Sequence, residues 1–223
     1  MRMRKKKHGA ERIAACSALL AVKPEAPMAD PNVIFDAPRT LALEIGCGKG
    51  SFACGMAAAN PDVNFYAMER VADCACIALE KAMAQAENRT GDNLRFMIGD
   101  AKTLTEYFEP HTFDRLYLNF SDPWPKAGHA KRRLTHRGFL EIYRGLLKEG
   151  GMLYFKTDNE GLFDFSLEEF AAAGLTIEWQ TRDLHNTELA ATNIMTEYET
   201  NFSSKGFPKI GRASCRERVC LSV

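Results

Sequence analysis

No Cys-x-x-Cys pair occurs in this 223-residue sequence, although it contains seven cysteines. Zinc-ribbon and thioredoxin-like uses of cysteine are therefore excluded. Cys16, Cys47, Cys54, Cys74, Cys76, Cys215 and Cys220 are odd in number and sit mostly inside apolar segments. That pattern predicts reduced, mostly buried thiols in a cytoplasmic protein rather than a disulfide framework. The five histidines show no metal-ligand spacing, so no metal site is expected. The longest apolar run near the start, Ile13 to Val22, is interrupted by Cys16 and Ser17 and is too short to span a bilayer. It follows a basic run as a signal peptide would. However, Lys23, Pro24 and Glu25 come directly after it, and no small-residue cleavage site appears. Internal repeats and Gly/Ser linkers are also missing. With 46% hydrophobic and 26% charged residues, the chain reads as one ordinary globular domain with a real core, neither low-complexity nor collagen-like.

Net charge is missing as well, since 29 basic residues balance 29 acidic ones. The balance hides a polarised distribution. Residues 1–12, 126–137 and 209–223 hold six, five and four basic residues but only two acids, Glu11 and Glu217. An acidic body with compact basic patches points to a polyanionic partner met at a defined place rather than general adhesion to nucleic acid.

Extended apolar runs alternate with helical ones. Strands are predicted at 41–45, 63–68, 94–98, 113–120, 152–156, 175–181 and 197–202, with helices at 51–59, 72–87, 134–147 and 160–173. Such alternation predicts an α/β fold, a doubly wound Rossmann-like sheet that is mostly parallel. The last two strands have no helix between them, which predicts an antiparallel edge. Residues 1–30 read as a basic, partly mobile N-terminal extension and 31–208 as a single domain. The stretch 209–223 has no regular period and reads as a disordered extension or a cloning or assembly artefact.

Ligands bind beyond the carboxyl ends of the strands in such sheets, so the residues closing each strand are the candidates. The first strand ends in Glu44-Ile-Gly46-Cys-Gly48-Lys-Gly50. Its glycines let a ligand approach the main chain. Ser51 stands where the dinucleotide fingerprint requires glycine. An acid before the loop would oppose a pyrophosphate but suits a cationic ligand end, such as an amino group beside a sulfonium. Glu69, closing the second strand, can accept from both ribose hydroxyls, and Asp100, closing the third, from an adenine amino group. In these three places the chain resembles the S-adenosylmethionine site of class I methyltransferases.

The fourth strand runs into Phe120-Ser-Asp-Pro-Trp-Pro-Lys126, followed by a cationic stretch through Arg133. Two prolines stiffen the loop and remove its amide donors. Asp122 is thereby held at the mouth of the sheet while Trp124 offers an aromatic face and the cations meet phosphates. Acid, aromatic and basic loop together describe a site that handles a nucleobase within a nucleic acid. With Glu44 to Gly50, Thr196-Glu-Tyr-Glu199 and the opening Met1-Arg-Met-Arg-Lys-Lys, this segment resembles the bacterial tRNA (guanine-N7-)-methyltransferases, from residue 1 to about Pro208.

The resemblance implies methyl transfer from S-adenosylmethionine to N7 of a guanosine in the tRNA variable loop, commonly position 46. It implies cofactor contacts from Glu44, Gly46, Gly48, Gly50, Glu69, Asp100 and Asp122. Lys126, Asp158, Thr196, Glu197, Tyr198 and Glu199 would engage the target guanosine or nearby RNA. His129, Lys131, Arg132 and Arg133 would hold the tRNA backbone, and the other histidines read as surface residues. Guanine N7 already carries an in-plane lone pair, so neither a Cys nucleophile nor a His base is needed and catalysis is mostly positioning. A carboxylate can orient the guanine and favour the cationic product. Asp122 is taken as the catalytic acid, with Asp158 the alternative for orienting the base. No obligate protein partner is expected, and monomer and homodimer both stay open. Ala127 and Gly128 make this loop less basic than the family's usual one. The rival readings are a methyltransferase of exocyclic amines or of another nucleic acid, and a non-catalytic RNA-binding module on the same fold.

Overall fold

The computed structural model describes residues 6–88, 90–203 and 210–217. The centre of the molecule is strand β1 (Thr40–Ile45). Its alternate residues serve opposite cores: Leu41, Leu43 and Ile45 point to one face, and Ala42 to the other. A strand buried on both faces reads as a continuous apolar run, as this one does. The chain continues through α2 (Ser51–Ala59), β2 (Val63–Glu69), α3 (Ala72–Ala84) and β3 (Leu94–Ile98). The other half contains β4 (Phe113–Asn119), α4 (Arg137–Leu146), β5 (Leu147–Thr157), α5 (Glu160–Ala172) and β6 (Thr176–Thr181). It ends with α6 (Glu197–Ser203) and β7 (Gly211–Arg216). Small residues such as Ala53, Ala57, Ala78 and Ala82 let α2 and α3 lie close to one face of the sheet. Phe139, Tyr143, Phe163 and Phe170 of α4 and α5 fill the other.

The seven strands stand in the order β3-β2-β1-β4-β5-β7-β6. All neighbours are parallel except β7, which runs antiparallel to both β5 and β6. The chain winds outward from β1 in one direction and from β4 in the other. The crevice between their carboxyl ends is therefore the switch point where ligands bind in such sheets.

Two expectations are corrected, the strand at 197–202 and the disorder of 211–216. Residues 197–202 form helix α6 rather than a strand, because Thr196 and Glu199 close a capping box. The Glu199 amide donates to Thr196 Oγ1 at 3.0 Å, and the Thr196 amide donates to Glu199 Oε2 at 3.3 Å. The antiparallel strand instead comes from 211–216, so the expectation of disorder does not hold for these residues. Ala213 and Cys215 of β7 are buried in the sheet, while residue 209 and residues 218–223 lie outside the described residues. The N-terminal extension is docked from residue 6 onward. Its helix α1 (Gly9–Ala15) lies on α3, with Arg12 donating from Nε and Nη2 to the two carboxylate oxygens of Glu80 at 2.6 Å each. Farther along, the Ala21 amide donates to Phe96 O on β3 at 2.8 Å. Residues 1–5 of that basic extension lie outside the described residues. Among the described residues no helix is long and apolar enough to cross a membrane, and none of the six described cysteines is in a disulfide.

The turn from β1 into α2 separates two glycines that sequence alone treats alike. Both are left-handed, with φ of +79° at Gly50 and +56° at Gly48. A Cβ on Gly50 would lie 2.8 Å from Ala78 Cβ and 3.1 Å from Ala78 Cα, whereas one on Gly48 meets nothing within 4 Å. Gly48→Ala should cost about 1 kcal/mol of backbone strain. Gly50→Ala should cost about 2–4 kcal/mol, because helix α3 must also shift. Urea unfolding of the two variants checks this, and equal losses would contradict it.

Candidate active site

A cavity of about 440 Å³ opens at the switch point. It brings together Gly46, Glu69, Asp100 and Asp122 of the expected cofactor set with Trp124, Lys131 and Arg132 of the following loop. Glu44, Gly48 and Gly50, the other three of that set, are not among its lining residues.

Glu44 is the penultimate residue of β1, 1% exposed. Its Oε1 accepts from Asn119 Nδ2, at the end of β4, at 2.9 Å. Its Oε2 is buried with no protein partner. Burial pushes this carboxyl up to about 7; the Asn119 hydrogen bond and the nearby Lys156 ammonium oppose the shift, and Glu69 adds to it. A buried carboxyl oxygen without a partner fits the cationic ligand end that the sequence calls for here, and a buried carboxylate would otherwise be costly.

Glu69 holds the glycine loop: its Oε2 accepts from the Gly48 amide at 2.9 Å and its Oε1 from the Val71 amide at 2.7 Å. Each oxygen keeps a second lone pair for a ligand hydroxyl. Asp100 has a similar double character. Its Oδ1 accepts from the Lys102 amide at 3.0 Å, capping the turn after β3, and its Oδ2 lies 3.9 Å from Arg70. Both side chains fix local backbone and line the cavity at once.

The loop after β4 is strained. Phe120 and Trp124 are left-handed, with φ of 50° and 42°, at a cost of about 1–3 kcal/mol each. The Phe120 amide is anchored on Lys156 O at 2.8 Å. Arg132 stacks over the Trp124 ring at 5.0 Å, and His129 meets that ring edge-on at 5.8 Å. Lys126 is exposed. Arg133, expected to hold the tRNA backbone, turns inward instead. Its Nε donates to Pro123 O at 3.0 Å and its Nη2 to Trp124 O at 3.1 Å.

The residues expected around the target base separate into two groups. Tyr198 and Asp158 meet directly, the phenol donating to Asp158 Oδ2 at 2.8 Å. The Tyr198 ring is stacked between Phe202 at 4.2 Å and Phe120 at 5.2 Å. Asp158 lines a separate cavity of about 460 Å³ with Asn159, Glu160, Phe163 and Arg182. Thr196, Glu197 and Glu199 belong instead to the framework. Glu197 bridges Lys49 of the glycine loop and Lys81 of α3, at 3.3 Å each. Glu199 is completely buried. Its Oε2 accepts from Lys156 Nζ at 2.9 Å, and its Oε1 pairs with His185 Nε2 at 3.0 Å and accepts from Asn193 Nδ2 at 2.6 Å. Burial pushes the Glu199 carboxyl up, but Lys156, His185 and Asn193 together outweigh it and hold it below the usual range. A base-binding role for Glu199 is thus corrected: both oxygens are already occupied inside the protein.

Lys156, Asn119, Asn193 and His185 were not among the sequence candidates. Only Lys156 carried a signal, as a lysine at an inward position near the end of an apolar strand. Among the described residues no group of His, Cys, Asp and Glu could hold a metal ion.

Residues 38–211 match a family model described as "Putative methyltransferase". The chain is 51% identical over 164 residues to a tRNA (guanine-N(7)-)-methyltransferase of Brevibacillus brevis, covering 74% of this chain and 75% of that one. It is 43% identical over 206 residues to the enzyme of the same name from Geobacillus sp. strain WCH70, covering 92% and 91%. A solved 16S rRNA methyltransferase, KamB, shares the fold with a TM-score of 0.59 at 12% identity, covering 79% of this chain and 87% of that one. Matches of this identity and coverage, on a chain whose glycine loop and strand-end acids line one crevice, show that it belongs to the S-adenosylmethionine-dependent tRNA (guanine-N7-)-methyltransferase family.

Proposed function

We propose that the chain methylates N7 of a guanosine in the tRNA variable loop, commonly position 46, with Asp122 as its catalytic acid. The observation that carries this reading is the shared cavity. Asp122 lines it together with the strand-end acids Glu69 and Asp100 and the Lys131 and Arg132 cations. On this proposal the enzyme acts on tRNA in the cytoplasm, as a monomer or homodimer with no obligate protein partner.

S-adenosylmethionine, when bound, supplies a methyl group activated on a sulfonium. Glu44 takes its amino group, Glu69 its ribose and Asp100 its adenine amino group, while Gly46, Gly48 and Gly50 let the loop backbone approach it. Guanine N7 needs no deprotonation, so the remaining work is orientation and charge. Asp122 orients the base and favours the cation that forms when N7 gains a methyl group. Lys126, Asp158 and Tyr198 engage the guanosine or its flanking nucleotides. Thr196, Glu197 and Glu199 keep α6 in the position that presents Tyr198. His129, Lys131 and Arg132 meet the RNA backbone, and Trp124 with its stacked Arg132 offers a base a face on which to stack.

Two predictions follow from this division of labour. Asp122→Ala should lower the single-turnover rate at least about a hundredfold while leaving tRNA affinity within about twofold. Lys131→Ala and Arg132→Ala should do the reverse, weakening tRNA binding and reducing the slope of log affinity against log salt by about one each. Filter binding over a salt series, with rapid-quench transfer assays, checks both. A fully active Asp122→Ala enzyme would assign the role to another acid.

The raised Glu44 carboxyl makes a pH prediction. The folded, ligand-free protein holds a proton there that the unfolded chain releases near 4.5, so its stability falls as pH rises from 4.5 toward 7. A cationic ligand favours the carboxylate, so its affinity rises over the same window. Between about pH 5.5 and 7, cofactor binding should tighten by about tenfold, and Glu44→Gln should flatten the dependence. Calorimetric titration reads this; an equal slope in Glu44→Gln would remove Glu44 from the cofactor site.

A further inference from the structure

Three consecutive cations, Lys131, Arg132 and Arg133, look interchangeable in sequence and are not so in space. Lys131 and Arg132 line the cavity. Arg133 places two nitrogens on two successive carbonyls, Pro123 O at 3.0 Å and Trp124 O at 3.1 Å. These belong to the loop that carries Asp122. We infer that Arg133 is a positioning residue for methyl transfer, holding the strained Asp122–Trp124 loop from inside the protein rather than gripping an RNA phosphate. The inference rests on the proposed reading of Asp122.

The loop requires such a clamp. Trp124 is left-handed, with φ of 42°, and stands between Pro123 and Pro125. The prolines have no amide hydrogen, so this stretch offers acceptors and few donors of its own. A bulky residue stays left-handed only where its surroundings over-determine it. Arg133 supplies the missing donors, and its planar fork reaches adjacent carbonyls as a lysine ammonium would not.

The clamp is itself seated on α5. The guanidinium lies 4.3 Å from the centre of the Phe165 ring. Two residues after Arg133, Thr135 Oγ1 shares a hydrogen bond with Ser166 Oγ of α5 at 2.7 Å. Arg137 then closes on Glu169, its amide donating to Oε2 at 2.5 Å and its Nη2 to Oε1 at 2.7 Å. Residues 133–137 are thus fastened to a rigid helix at three points, and Arg133 carries that rigidity to the loop. A shift of about 1 Å in a positioned group can cost about a hundredfold in rate.

The test compares Arg133→Ala and Arg133→Lys in the full chain, with Lys131→Ala and Asp122→Ala alongside. Arg133→Ala should lower the single-turnover rate at saturating tRNA and S-adenosylmethionine by about tenfold or more. Its tRNA affinity should stay within about twofold and its salt slope should be unchanged, unlike Lys131→Ala. Arg133→Lys keeps the charge without the fork and should lose nearly as much rate. In a Trp179→Phe background, which leaves Trp124 as the only tryptophan, acrylamide quenching of Trp124 should rise in both variants. If Arg133→Ala fails to fold, Arg133→Lys carries the test with the same readouts. Full rate with weakened tRNA binding and a slope reduced by about one, or full rate restored by Lys, would overturn the inference. A fully active Asp122→Ala enzyme would instead overturn the reading of Asp122, whereas an inactive one beside a fully active Arg133→Ala would sink the inference about Arg133 alone.

Discussion

The Lys156 ammonium, 3% exposed near the end of β5, has exchanged nearly all its water for protein. Nζ donates to Glu199 Oε2 at 2.9 Å, to Asn193 Oδ1 at 3.1 Å and to Ile194 O at 3.1 Å, and it sits 5.0 Å from the centre of the Phe52 ring. Breaking such a pair from one side costs about 3–5 kcal/mol, because the other charge stays buried. The consequences reach each part of the crevice. Glu199, held by Lys156, caps α6. That helix in turn carries Glu197 to Lys49 of the glycine loop and Tyr198 to Asp158. The Lys156 carbonyl anchors the Phe120 amide where the strained loop begins. The same charge moderates the upward shift of the Glu44 carboxyl on the far side of Asn119. The buried end of β1, the loop after β4 and the Tyr198 helix therefore share one buried cation.

The open end of the sheet shows how a site that carries several acids can still receive a polyanion. Its acids have separate tasks: Glu69 and Asp100 fix backbone while lining the cavity, and Glu44 lies buried behind them. Positive charge lines the same cavity, on Arg70, Lys102, Lys131 and Arg132, while Arg133 is turned toward the Pro123 and Trp124 carbonyls. The formal neutrality of the chain is thus repeated locally as acids and cations side by side around one cavity, which suits delivery of one base from a phosphate-bearing strand.

Much of this was legible in the sequence because the strands are buried on both faces and end in punctuation. Glycines after Ile45, Glu69, Asp100 and the Ser121-Asp122-Pro123 break all mark carboxyl ends, and four of the seven expected cofactor residues line one cavity. The Thr196–Glu199 stretch was misread because Thr-Glu-Tyr-Glu alternates like an edge strand. Its Thr-x-x-Glu spacing is equally a capping box, and the packing of Glu199 under Lys156 decides in favour of the helix. Arg133 could not be told from Arg132, since nothing local distinguishes a guanidinium that faces RNA from one that faces two carbonyls ten and nine residues away. Segment 211–216 gave no periodic signal, and its strand conformation comes from pairing with β5 and β6. His185 and Asn193 act only through contacts across a connection that has no regular period.

The most direct measurement of the account is the position of the methyl group on product RNA. Unmodified tRNA is incubated with the full chain and labelled S-adenosylmethionine, and N7-methylguanosine is then located by alkali-induced strand cleavage. The account predicts a single cleavage at a variable-loop guanosine that carries the label. Label in an adenosine, on an exocyclic amine or in a small molecule, or tRNA binding with no transfer at all, would contradict it.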